Sequence, residues 1–206
     1  MNLSRRVIRI VTIALIAFVL IFVSYFLTRG KLQANEEAKL NAAFESVFPD
    51  AVSFDEADYR SEYLTRFLSD NGYADDQVYV NKVTFARNDV RDVQGIVVQV
   101  SSYKKYGGII TMLVGIQNDG TVNGYSILNI SEAKDLDLKV KDEIFADQFR
   151  NVKADTFTLV NGEAKITGEI IPANGAEDAS QTVVRAVNAS ILTNTFIDEY
   201  FGGVGD

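Results

Sequence analysis

The chain begins with an unbroken apolar run and then changes its hydrophobic period twice. Ile10 to Leu27 is 18 residues without a charge, about 27 Å as a helix and close to the thickness of a bilayer's hydrocarbon core. It predicts a transmembrane helix. A cleaved signal peptide is the rival reading, but the run is long for one and no A-x-A site follows before Ala34. Leu40, Ala43, Phe44, Val47 and Phe48 then recur at helical spacing until Pro49 closes the pattern. A second short helix is predicted over Glu62 to Leu68, ending at Asn71-Gly72. The aromatic stripe of these helices reads as core.

From Val78 the period drops to two. Val78, Val80, Val83 and Phe85 predict strands, as does the β-branched run Ile96 to Val100. Met112 to Ile116 and Val122 to Ile127, joined through Asn118-Asp119-Gly120, predict a hairpin. A strand over Thr156 to Val160 and a second hairpin, turning at Asn161-Gly162 toward Lys165 to Ile171, are expected next. Helical spacing returns from Gln181 to Tyr200, with Val184, Val187, Ile191 and Leu192 facing inward. The reading is α+β: one N-terminal transmembrane helix, then one antiparallel-sheet domain with flanking helices. Its divisions are a cytoplasmic stub and anchor over 1–31, a helical lead-in over 32–75 and the sheet domain over 76–206.

Charge orients the anchor. Arg5, Arg6 and Arg9 precede the run, and Arg29 and Lys31 follow it, so the positive-inside bias points the N-terminus to the cytoplasm and leaves the domain on the extracytoplasmic face of the cell membrane. The formal charge of −8 hides an asymmetry, because residues 32–206 carry 15 basic and 28 acidic residues, a net of −13. So acidic a domain is a poor nucleic-acid binder. Cysteine and histidine are both absent, which excludes disulfides, iron–sulfur ligation and thiol catalysis and removes the commonest general base. Redox chemistry here needs an organic cofactor or a partner. The adjacent acids Asp75-Asp76 match no calcium loop and read as a solvated turn, which leaves a hydrolase little to stand on.

The stretch Asn174 to Asn188 joins a loop of small residues to the last helix, and a helix start of this kind favours an anion. It resembles the flavin-attachment motif of the FMN-binding domain family, found in the G subunit of Rnf-type and the C subunit of Na+-pumping NADH:quinone oxidoreductases. That pattern is D-x-x-[S/T]-G-A-[S/T]-x-[T/S]. Laid on the chain without a gap, Asn174 stands for the Asp, Glu177 for the Ser/Thr, Asp178 for the Gly, Ala179 for the Ala and Ser180 for the acceptor, with Thr182 as the second hydroxyl. Asn188-Ala189 also falls where the family helix often has the same pair. Two further stretches are similar to the family: Tyr106-Gly107-Gly108 to Ile110, followed by Val114-Gly115-Ile116 and Asp119-Gly120, and the loop Ser131 to Asp137, where Glu132 and Leu136 keep register with S-E-T-P-G-L-G.

The resemblance implies a membrane-anchored electron-relay subunit with FMN held covalently at Ser180, or at Thr182 as the fallback, beside Ala179, Tyr106, Gly107 and Gly108. It also implies other subunits of an Rnf-like membrane complex, lipid around one helix and a flavin transferase as partners, with catalysis belonging to the assembled complex. Against FMN stand Asp135, Asp137 and Asp178 at family glycine positions and Glu177 at a hydroxyl position. Two unit charges about 6 Å apart at an effective dielectric near 20 repel by roughly 2–3 kcal/mol, less with salt. The same residues also suit an ordinary helix start, with Asp178 as the N-cap. The alternative is therefore a flavin-free copy acting as a structural or partner-binding module.

Overall fold

The computed structural model describes residues 18, 22, 36–74, 76–132 and 135–202. The chain divides at Ala42/Ala43 into two units, which are described separately. In the first, Phe18 and Phe22 are helical and exposed. The predicted span Ile10 to Leu27 otherwise lies outside the described residues, among which no helix is long and apolar enough to cross a membrane. Asp75 lies outside them too.

The second unit is built on a six-stranded antiparallel sheet in sequence order. Its strands are β1 (Ser53–Glu56), β2 (Val78–Arg87), β3 (Val93–Tyr103), β4 (Ile109–Gln117), β5 (Thr121–Ile130) and β6 (Val152–Lys153). The period-two pattern works as expected: Ile96, Val98 and Val100 of β3, with Ile110, Met112, Val114 and Ile116 of β4, point to one face. Val97 and Leu113 point to the other. The strands predicted at Val78 and Val83 are one strand, because a bulge between Val80 and Lys82 absorbs the break in alternation. The polar edge strand β1 carries little apolar signal and was not expected.

The helix over residues 36–47, α1, ends one residue before Phe48 and leads into the turn at Pro49. Val47, at its end, and Phe48 cover the smaller face of the sheet. A Cβ on Gly115 would lie 2.4 Å from the Val47 carbonyl oxygen, so only glycine lets the chain settle this closely. α2 (Ser61–Asp70) buries Leu64 and Leu68 and stops at Asn71, with Gly72 at φ +86°, as the sequence predicts.

The larger face is closed by α4 (Glu177–Phe201). This helix starts four residues earlier than its apolar period suggested. Val183, Val184 and Val187 are buried, while Ile191 and Leu192 are only partly covered. Each fully buried Val contributes about 1.5–3 kcal/mol, so this stripe anchors the helix to the sheet. Between β5 and β6 the chain runs through a 3-10 helix (Asp135–Lys141), α3 (Glu143–Ala146) and a second 3-10 turn (Asp147–Phe149), which seat Phe145 and Phe149 in the core.

The second predicted hairpin is overturned. β7 (Thr158–Leu159) and β8 (Glu169–Ile170) are paired, but in parallel. The Glu169 carboxylate accepts the Lys165 and Ile166 N–H groups, and Gly168 sits at φ +90°. The chain therefore turns a second time after Asn161-Gly162 and re-enters in the original direction. Asn188 of α4 fixes the approach to β7: its side-chain amide accepts the Phe157 N–H at 2.7 Å and donates to the Phe157 carbonyl at 2.8 Å.

Candidate functional site

Three segments far apart in sequence meet at the head of α4. They are the β3–β4 turn, the loop after β5 and the Asn174–Gly175–Ala176 turn before the helix. Together they line a pocket of about 540 Å3, bounded by Lys104, Tyr106, Gly107, Glu132, Asp137, Gly175, Ala176, Glu177 and Asp178.

The β3–β4 turn is tight. Lys104 N–H donates to the Gly108 carbonyl, and Gly107 and Gly108 stand at φ +99° and +85°. A Cβ on Gly108 would lie 2.4 Å from the Ser131 carbonyl oxygen and 2.8 Å from Lys104 Cε. Glycine is needed there for conformation and for room alike. Tyr106 at the tip is 74% exposed and lines the pocket mouth.

Lys104 is the centre of the arrangement. Its side chain is 4% exposed, and its ammonium donates to Asp137 Oδ2 at 2.8 Å and to the Glu132 carbonyl at 3.0 Å. A buried ammonium is held only where a carboxylate and further acceptors replace its water. The pair therefore ties the 3-10 helix that carries Asp137 to the end of β3. Glu132 itself takes a left-handed backbone at φ +50°, unusual outside glycine, and its Oε2 would lie 3.3 Å from a Cβ on Gly107.

The helix start is held by other groups. Asp178 is not the N-cap expected from the sequence; that position is Ala176, without a side-chain cap. Asp178 instead accepts the Lys105 N–H at 3.1 Å, joining the first turn of α4 to the β3–β4 turn. Lys139 donates to the Asn174 carbonyl at 2.8 Å. Arg185, two turns further along the helix, donates to the Tyr103 carbonyl.

The candidate attachment residues fall into two groups. Tyr106 and Gly107 line the pocket, and Gly108 lies next to them in the turn. Ala179, Ser180 and Thr182 do not line it. Ala179 and Ser180 are fully buried. The Ser180 hydroxyl donates to the Ala176 carbonyl at 2.8 Å and accepts the Ala173 N–H at 3.0 Å. The Thr182 hydroxyl donates to the Asp178 carbonyl at 2.7 Å. Among the described residues that line the pocket, Glu177 and Asp178 come from the helix, and four carboxylates stand against one lysine ammonium. A flavin phosphoester does not fit this arrangement: among the described residues no Ser or Thr lines the pocket to carry it, and carboxylates outnumber the ammonium. Lys104 and Gly175 were missed from the sequence. The literal Gly-Ala pair at 175–176 was the available signal.

Among the described residues no cluster of His, Cys, Asp and Glu side chains could hold a metal ion. Burial pushes the phenol of Tyr125 well above its usual range. Its hydroxyl donates to the Val140 carbonyl and its ring stands edge-on to Phe149, holding the 3-10 helix against β5.

No family model matches the chain. Over 88 residues it is 33% identical to the G subunit of the proton-translocating ferredoxin:NAD(+) oxidoreductase complex of Clostridium ljungdahlii, covering 43% of this chain and 47% of that protein. Over 172 residues it is 25% identical to the G subunit of the Na(+)-translocating ferredoxin:NAD(+) oxidoreductase complex of Acetobacterium woodii, covering 81% and 79%. The first match spans about half the length of the clostridial relative. The crystal structure of Shewanella oneidensis NqrC is similar at a TM-score of 0.48 and 15% identity, covering 59% of this chain and 61% of that one. By sequence the chain is similar to the G subunits of ferredoxin:NAD(+) oxidoreductase complexes, the group that its own motifs resemble.

Proposed function

We propose that the chain is a G-subunit-type component of a ferredoxin:NAD(+) oxidoreductase-like membrane complex, in which it serves as a flavin-free structural or partner-binding module. The observation that carries this reading is the placement of the two candidate hydroxyls. Those of Ser180 and Thr182 are committed to carbonyls of the same helix start, and neither residue lines the pocket. Among the described residues that line the pocket there is no Ser or Thr to carry a phosphoester, and a carboxylate, Glu177, stands at the exposed helix start. In this role the apolar run near the N-terminus anchors the chain in the cell membrane, the acidic domain stands on the extracytoplasmic face and the other subunits are its partners.

The second reading is a covalent FMN relay in the same complex. What favours it is the pocket itself, sized for a small molecule and set against a helix N-terminus. Two measurements on the full chain made beside a flavin transferase separate the readings: intact mass with in-gel flavin fluorescence, and co-purification with the neighbouring membrane subunits. The module reading expects an unmodified mass and a stable complex. An added FMN on the wild-type chain gives the relay, and a chain that co-purifies with no such subunit removes both.

A further inference from the structure

The attachment pattern puts its acceptor hydroxyl directly after a Gly-Ala pair. The ungapped frame from Asn174 gives that role to Ser180, with Asp178 and Ala179 standing for the pair. The chain has one literal Gly-Ala, Gly175–Ala176, three residues upstream. The pocket distinguishes the two frames. Gly175 and Ala176 line it, whereas Ala179 and Ser180 are buried away from it. Gly175 stands at φ +77°, a conformation that favours glycine, while Asp178 lies inside the helix, where no glycine is needed. Asn174 then takes the hydroxyl position before the pair. The residue after it is Glu177, the first of α4, exposed and lining the pocket.

We propose that Glu177 occupies the flavin-acceptor position of this chain, and that the loss of a hydroxyl at this one place keeps the pocket free of covalent flavin. This rests on the reading of the chain as a G-subunit relative and names the residue responsible. The transfer it blocks is a phosphoryl transfer. The pyrophosphate bond of a flavin dinucleotide breaks, the FMN phosphorus bonds to a Ser or Thr oxygen, and AMP leaves with the hydroxyl proton released. A carboxylate offers no hydroxyl for that phosphoester and adds a negative charge against the incoming phosphate. Glu177 is exposed at a helix start, where β-branched residues are tolerated, so a threonine there leaves the core untouched.

The test is a gain of function. The full chain is co-expressed with a flavin transferase in a host that supplies FAD, alongside a relative with the intact motif as the positive control. Wild type, Glu177→Thr, Glu177→Ala and Glu177→Thr combined with Ser180→Ala and Thr182→Ala are compared by intact mass, in-gel fluorescence and peptide mapping. The expected result is one FMN on residue 177 in both proteins carrying Glu177→Thr and none on the wild type or Glu177→Ala. A Glu177→Thr protein that is folded by its thermal transition yet unlabelled overturns the assignment of Glu177 alone. Label on Ser180 or Thr182 of the wild type overturns the flavin-free reading as well.

Discussion

The two turns at opposite ends of β4 are built on different principles. The β4–β5 turn is shaped mainly by its own residues. Gly120 N–H donates to the Gln117 carbonyl, the Thr121 N–H donates to Asp119 Oδ1 at 2.9 Å, and Gly120 supplies φ +85°. These determinants lie within a few residues, and the turn's longer ties, from the Asn118 side chain to the Val93 carbonyl at 2.6 Å and from Asp119 to Lys153 at 3.9 Å, reach only other strands of the same sheet. The β3–β4 turn depends on distant chain: Asp137 for Lys104, Asp178 for the Lys105 N–H, and Ser131, whose hydroxyl accepts the Ile109 N–H. The first turn shapes a strand connection, and the second shapes a pocket. Long-range ties fix a site firmly, but they make it vulnerable at each partner.

The largest effect is therefore expected at the Lys104–Asp137 pair. Asp137→Ala leaves a buried ammonium without its carboxylate, and removing one partner of such a pair costs about 3–5 kcal/mol. Replacing both, with Lys104→Met and Asp137→Leu, restores a matched interior and should bring the loss to within about 1 kcal/mol of wild type. Denaturant unfolding of the singles and the double forms a cycle. Additive losses would show that the two side chains do not interact, and the contrast between the turns would weaken.

Asn188→Ala comes next. The amide closes both backbone groups of Phe157, and leaving a buried N–H and a C=O unpaired costs about 2–4 kcal/mol. Hydrogen exchange at Phe157 should accelerate in this variant more than exchange in β3. Uniform acceleration across the sheet would mean that Asn188 supports global stability and not the β7 segment in particular.

These cases mark how much was legible in the sequence. The alternation in β3, β4 and β5, the Asn118-Asp119-Gly120 turn and the stop at Asn71-Gly72 follow from neighbours in the chain, and each is found where it was expected. The Asn161-Gly162 hairpin failed because a local turn signal competed with the Glu169 carboxylate, Gly168 and the distant Asn188 amide. The site was half legible. Tyr106 and Gly107 were marked by the resemblance of the stretch from Tyr106 to Ile110 to the family's strand entry, but Lys104 and Asp137 are 33 residues apart and neither shows its partner. Reading the helix start in the Ser180 frame followed from matching hydroxyls. The burial of Ser180 against the Ala173 N–H and Ala176 carbonyl could be seen only in three dimensions.

The smallest effect belongs to the β4–β5 turn, and pH exposes it. The Asp119 carboxyl is held below its usual range, first by the Thr121 N–H and then by the Thr121 hydroxyl. A depressed folded value means that the ionised form is favoured in the native state. The stabilisation is thus complete above the ordinary Asp value near 4 and fades as pH falls through the lower folded value. The side chain is largely exposed, so the contribution stays under about 1 kcal/mol. Asp119→Asn keeps an oxygen acceptor for Thr121 but cannot titrate. The stability gap between wild type and Asp119→Asn, measured by denaturant unfolding between neutral pH and about pH 3, should narrow on acidification. A gap that is constant over this range would show that the turn is held by its backbone bond and Gly120, with no share from the Asp119 charge.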